Sequence, residues 1–253
     1  MCRTSTTTTA DPSMHALDAG QLNRLLRDLE LTAPVAIKRA APHAEQHLWL
    51  LVALRRTDVR EDVAFQQRLA RHVGLRGKLR TRKQALFDTI ESLKALERPA
   101  FEDVLLRISE LTGQVEKSVA SSVLALLEPE QPTIDRDLRE LLPRYGFPTL
   151  AEAPMFDECV AWHRRLKALF EQVIDAPRWA AISPRIDAGL APQGDALLTE
   201  VRKLNLQLSH SRRVVALMPT LEPVRIVPVR GALPVAPAEP MPLRGAVRLH
   251  LCR

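Results

Sequence analysis

Cysteine is nearly absent. The three in 253 residues, Cys2, Cys159 and Cys252, lie far apart. The chain therefore has neither a disulfide framework nor a Cys-x-x-Cys metal pair, and an iron–sulfur cluster held by four cysteines is excluded. Glycine is scarce at 9 residues while helix formers abound, a balance that predicts an all-α fold. Aromatic residues make up only 4%, so few rings are available to stack on a base or wedge into a duplex. The longest apolar run, residues 48–54, is far too short to cross a membrane. The opening stretch MCRTSTTTTADPSM lacks the apolar segment of a secretory signal. A reducing, cytoplasmic setting without membrane attachment or cofactor is the expectation.

What is present is a core and an uneven charge distribution. Hydrophobic residues are 46% of the chain, ample for one large domain or two small ones. The net charge of +6 is divided along the chain: residues 1–67 are neutral, 84–201 carry 20 acids against 12 bases, and 202–253 carry 9 bases against 2 acids. Residues 68–83, RLARHVGLRGKLRTRK, hold seven bases and no acid. Read as a helix end followed by an exposed loop, this run offers Arg76, Lys78, Arg80, Arg82 and Lys83 to a polyanion.

Helical periodicity divides the chain further. Residues 1–17, with a threonine run, are expected to be disordered. So is a proline-rich basic tail over 211–253, which has seven prolines between 218 and 242. Between them, residues 18–210 form one helical domain. Asp18 caps a first helix through Leu22, Leu25, Leu26 and Leu29, which Pro34 ends. Pro42 opens a second over 43–54, with Leu48, Trp49, Leu51 and Val52 inside, and a third over 61–73 buries Val63, Leu69 and Val73. Further helices are expected over 84–96, 154–174 and 195–209, with 177–194 a loop or short-helix region. His43 and His47 stand four apart but lack a third ligand nearby and read as surface residues.

The stretch 101–142 is the most informative. Phe101, Val104, Leu105, Ile108 and Leu111 recur at helical spacing until Thr112-Gly113 breaks the pattern. A second helix follows through Val119, Val123, Leu126 and Leu127, closed by Pro129 and Pro132, and Asp135 precedes a third with Leu138, Leu141 and Leu142. Lys117 and Asp135 are 18 positions apart. This module resembles the hairpin and catalytic loop of the helix-hairpin-helix DNA glycosylases of the endonuclease III type. In that family a Gly-Val-Gly-x-Lys hairpin leads a helix and a Val-Asp loop supplies a catalytic aspartate. Gly113, the Lys117–Asp135 spacing and the apolar Ile134 match, whereas Val115 stands where the family has its second glycine. The match is at motif level over 111–138 and at the level of helix order over 60–210.

The resemblance implies a multi-helix bundle of that fold and double-stranded DNA as partner. It implies hairpin N–H groups at Gly113 and Gln114 that hold a phosphate, Asp135 as the group that stabilises charge on the sugar, and Lys117 as a Schiff-base nucleophile for lyase activity. Each residue has a plainer role. Asp135 caps the following helix, Lys117 is a solvated first-turn lysine, and the hairpin is a structural turn. The acidity of the module, Val115 and the few aromatics fit a second expectation: a member of the fold without enzyme activity that serves as a binding or interaction protein.

Overall fold

The computed structural model describes residues 16–75, 77–190 and 198–217, without the side chains of 78 and 79. The predicted disordered segments lie almost wholly outside these residues. Every regular element among the described residues is helical.

Helix α1 (Ala19–Arg56) is the spine. Its start is as predicted: Asp18 Oδ1 accepts from the Gln21 N–H at 2.8 Å, and Gln21 Oε1 accepts from the Asp18 N–H at 3.0 Å. Its length corrects the sequence reading, because the helix runs 38 residues straight through Pro34 and Pro42. Each interior proline removes one ladder bond and costs about 3 kcal/mol in an isolated helix. Burial offsets that cost here. Ala33, Ala36, Ala40 and Ala44 are each at most 2% exposed and line a face against which α10 (Glu200–Val215) packs. Thr32 and Ser211 share a hydrogen bond of 2.7 Å across this contact, and Gln207 Nε2 donates to the Leu29 carbonyl at 3.0 Å. Val52 and Val63, expected inside, are 38% and 59% exposed.

The basic run is not one exposed loop. It is shared among the end of α2 (Val63–His72), the single turn α3 (Gly77–Thr81) and the start of α4 (Lys83–Lys94). The hairpin module forms as read: α5 (Phe101–Thr112), a turn with Gly113 at φ 72°, then α6 (Lys117–Leu127). That left-handed angle is what glycine supplies at a helix C-terminus. Asp135 opens α7 (Arg136–Leu141), which leads into a 3-10 turn at Leu142–Tyr145. Helix α8 (Phe156–Ile174) begins two residues later than predicted, and the expected loop region after it contains α9 (Pro177–Gly189). Lys203, 6% exposed, joins α9 to α10 through Asp187 at 2.7 Å and Glu200 at 2.8 Å.

The domain is wider than 18–210. Leu17 is buried and exchanges two hydrogen bonds with the Gln172 amide, and α10 continues to a buried Val215.

Candidate functional site

The loop before α7 has almost every polar group engaged. The Pro132 carbonyl meets His163 Nε2 at 3.2 Å. The Thr133 N–H donates to Asn205 Oδ1 at 2.7 Å, and Asn205 Nδ2 donates back to the Thr133 carbonyl. The Ile134 N–H donates to Ser121 Oγ at 2.8 Å. Asp135 Oδ1 accepts from the Leu138 N–H at 2.7 Å, and Oδ2 accepts from the Ser209 hydroxyl. A carboxylate held at both oxygens by a loop so restrained is preorganised. Burial pushes its pKa up, against the two hydrogen bonds and the nearby Arg202 charge.

Asp135 lines a polar cavity of about 140 Å3, together with His43, His72, Ser122, Arg202 and His210 among others. His43 is exposed, so the cavity reaches solvent on the α1 side. His43 and His210 lie ring to ring at 4.8 Å, and His72 is 6.1 Å from His47. His47 is 3% exposed, which corrects its reading as a surface residue. Burial, then the Arg202 charge, hold the His72 pKa down at about 3. Burial and His43 hold His210 at about 4. Among the described residues no group of three or more His, Cys, Asp or Glu side chains is placed to hold a metal ion.

Arg202 is the residue the sequence reading missed. It is 8% exposed, and its Nε has no hydrogen-bond partner. The signal was present: Arg202, Asn205 and Ser209 are spaced at three and four on a helix that also carries Leu204, Leu206 and Leu208. A polar stripe beside an apolar one on a core-facing helix marks a buried polar site.

Lys117 does not share this cavity. It is 7% exposed and donates to the Glu152 carbonyl. Burial, then the Arg139 charge, lower its pKa. It lies one turn before Ser121 on α6, and side chains lean toward the N-terminus of their helix, which carries Lys117 away from Asp135. The structure therefore brings Asp135 to a cavity and leaves Lys117 in a separate environment beneath the 152 loop.

The hairpin N–H groups are engaged within the protein. Gly113 donates to the Ser109 carbonyl at 2.7 Å, Gln114 to Thr112 Oγ1 at 3.2 Å and Glu116 to Ser109 Oγ at 3.3 Å. The groove beside them, about 590 Å3, is lined by Glu110 and Glu152 as well as Gly113, Gln114 and Val115. Carboxylates repel a phosphate there, so Gly113 and Gln114 make a structural turn in place of the phosphate clamp the resemblance implied.

Of the basic candidates, Arg76 and the side chain of Lys78 lie outside the described residues. Arg82 is a structural residue, because its Nη1 donates to the Leu111 carbonyl at 2.7 Å, at the C-terminal end of α5. Lys83 lies over the Phe87 ring at 5.7 Å, and Arg80 is exposed. If this face meets DNA, Arg80→Glu should weaken duplex binding and lower the salt slope by about one unit, measured as log affinity against log salt. Arg82→Glu should act mainly through stability. An unchanged slope for Arg80→Glu would remove this face from any DNA interface.

No family model, no curated protein and no solved structure matches the chain. A functional reading therefore rests on the residues themselves and on the motif over 111–138.

Proposed function

We propose that the protein acts on DNA as a base-releasing enzyme without lyase function, with Asp135 as its acidic group. The observation that carries this is the different fate of the two motif residues. Asp135 lines a polar cavity on a loop held by several hydrogen bonds, whereas Lys117 is outside that cavity and bound to a backbone carbonyl. In base release, the glycosidic bond breaks and the base leaves with the bonding pair. Positive charge builds on the sugar, and the Asp135 carboxylate stabilises it. Water then adds to the sugar carbon and gives its proton to Asp135, whose raised proton affinity suits that step.

The test is a panel of damaged-base duplexes incubated with the protein, with and without borohydride. Base release without a trapped covalent adduct is expected, and Lys117→Gln should release base within a few-fold of wild type. A borohydride-trapped adduct that Lys117→Gln abolishes would overturn the separation of roles, and no release from any duplex would overturn the enzyme reading.

A second reading, a catalytically silent binding protein, is favoured by the acidic groove at the hairpin. There Glu110 and Glu152 face outward and the hairpin N–H groups are already engaged. It predicts no base release from wild type or variant.

A further inference from the structure

Arg202 is the least explained charge in the domain. It is 8% exposed, its side chain forms no hydrogen bond or ion pair among the described residues, and its Nε is buried without an acceptor there. A buried charge that lacks a hydrogen-bonded counter-ion costs several kcal/mol, and proteins normally pair it. Asp135, whose charge acts on Arg202, already accepts from Ser209 and the Leu138 N–H and reaches Arg202 only through space. Burial lowers the Arg202 pKa to about 10, so the guanidinium still carries its charge at neutral pH.

The rest of the cavity wall suits an oxyanion. His43, His72 and His210 each have ring nitrogens to offer, and Ser122 adds a hydroxyl. A volume of about 140 Å3 admits one small group, since an engineered protein cavity of about 150 Å3 holds a benzene-sized molecule. The guanidinium fork matches two phosphate oxygens at once, a geometry a single ammonium cannot reproduce. Among the described residues, no three His, Cys, Asp or Glu side chains here are placed to hold a metal ion.

We infer that the cavity between α1, α7 and α10 is an oxyanion site that takes a phosphate monoester group, with Arg202 as its principal ligand and His43, His72 and His210 as supporting donors. The inference rests on the same cavity as the proposed function but on none of its chemistry; a phosphate and a sugar at Asp135 would compete for one small volume, yet phosphate binding and base release are read separately, so either can fail alone. The phosphate can come from a nucleic-acid terminus or from free phosphate.

The experiment is calorimetric titration at pH 7 and fixed ionic strength with inorganic phosphate, then with a short oligonucleotide carrying a 5′-phosphate and its 5′-hydroxyl twin. Saturable one-to-one phosphate binding is expected, and Arg202→Met should weaken it about 10- to 100-fold, the range for hydrogen bonds to a charged group. Should Arg202→Met fail to fold, His43→Gln at the exposed mouth should still weaken binding several-fold. Asp135→Asn, which removes a repelling carboxylate, should bind phosphate as tightly as wild type or tighter, even where base release is lost. A preference for the phosphorylated oligonucleotide over its twin assigns the source to nucleic acid. Binding of inorganic phosphate with no such preference assigns it to free phosphate. No binding of any probe, or binding that survives both Arg202→Met and His43→Gln, overturns the inference.

Discussion

Asp135→Asn should lower base release by about 100-fold or more while the fold survives. The survival is a matter of hydrogen-bond accounting. Asparagine keeps an oxygen at the position that caps α7, so the Leu138 N–H retains its acceptor. Its amide nitrogen would face Ser209, whose hydroxyl can turn to accept while it donates to the Asn205 carbonyl, now 2.9 Å away. What is lost is the negative charge, and with it the stabilisation of a developing cation and the acceptor for water's proton. Asp135→Ala is the contrasting variant. It removes the charge and the cap together, and the missing cap should cost about 1 kcal/mol of stability. Excision assays beside urea unfolding separate the two effects. Base release by Asp135→Asn at the wild-type rate would remove Asp135 from the chemistry.

Acid should unfold this domain well above the range where its carboxylates titrate. His47 and His163 are both 3% exposed, and His72 lines the cavity. Burial holds all three pKa values below the ordinary 6.5, at about 4 for His163 and about 3 for His72. Around His47 and His72 the Arg202 charge acts in the same direction. For His163, the Pro132 carbonyl and Glu102 pull the other way without reversing it. As pH falls below 6.5, the unfolded chain gains a proton at each histidine, which the folded chain refuses at His163 until about pH 4 and at His72 until about pH 3, while His47 is likewise held well below the ordinary value. Stability therefore falls by about 1.4 kcal/mol per pH unit for each histidine. His72 and His163 together remove about 4 kcal/mol between pH 7 and pH 5, a large share of the whole stability of many domains, and His47 acts in the same direction. Asp135 opposes this in part. Its folded pKa is raised, so it takes up its proton before the unfolded chain does, and its contribution grows as pH drops. Glu116, whose pKa burial also raises, acts on the same side as Asp135, and His210, held at about 4, acts with the other histidines. Urea unfolding at pH 7, 6 and 5 should show the midpoint falling steeply, and His72→Gln should reduce the slope by about one proton. A midpoint that stays level from pH 7 to pH 5 would show that these imidazoles are not held neutral by burial.

The sequence by itself determined the local elements whose signals are local. The capping aspartates at 18 and 135, the left-handed turn at Gly113 and the apolar faces of α5, α6 and α8 all follow from short-range chemistry, and the structure carries them. That every regular element described is helical was likewise legible in the composition. Where packing competes with a local signal, the sequence misled. Pro34 and Pro42 are breakers in isolation, yet the spacing Leu29, Ala33, Ala36, Ala40, Ala44, Leu48 runs unbroken across both, and α10 closes on that small-residue face. Alanine counts for little in an apolar periodicity, so the continuity was easy to overlook.

Tertiary structure alone decided which charged residues meet. Asp135 and Lys117 stand 18 positions apart in one motif, but one side chain lines a cavity and the other bonds to the Glu152 carbonyl away from it. Asp135 and Arg202 are 67 residues apart in sequence and line one cavity, because α7 packs on α10. Burial is what turns these groups into a site. It holds the histidines neutral, raises the proton affinity of the aspartate and leaves the Arg202 Nε without an acceptor among the described residues; the polar stripe on α10 was legible in the sequence, but which groups it meets was not.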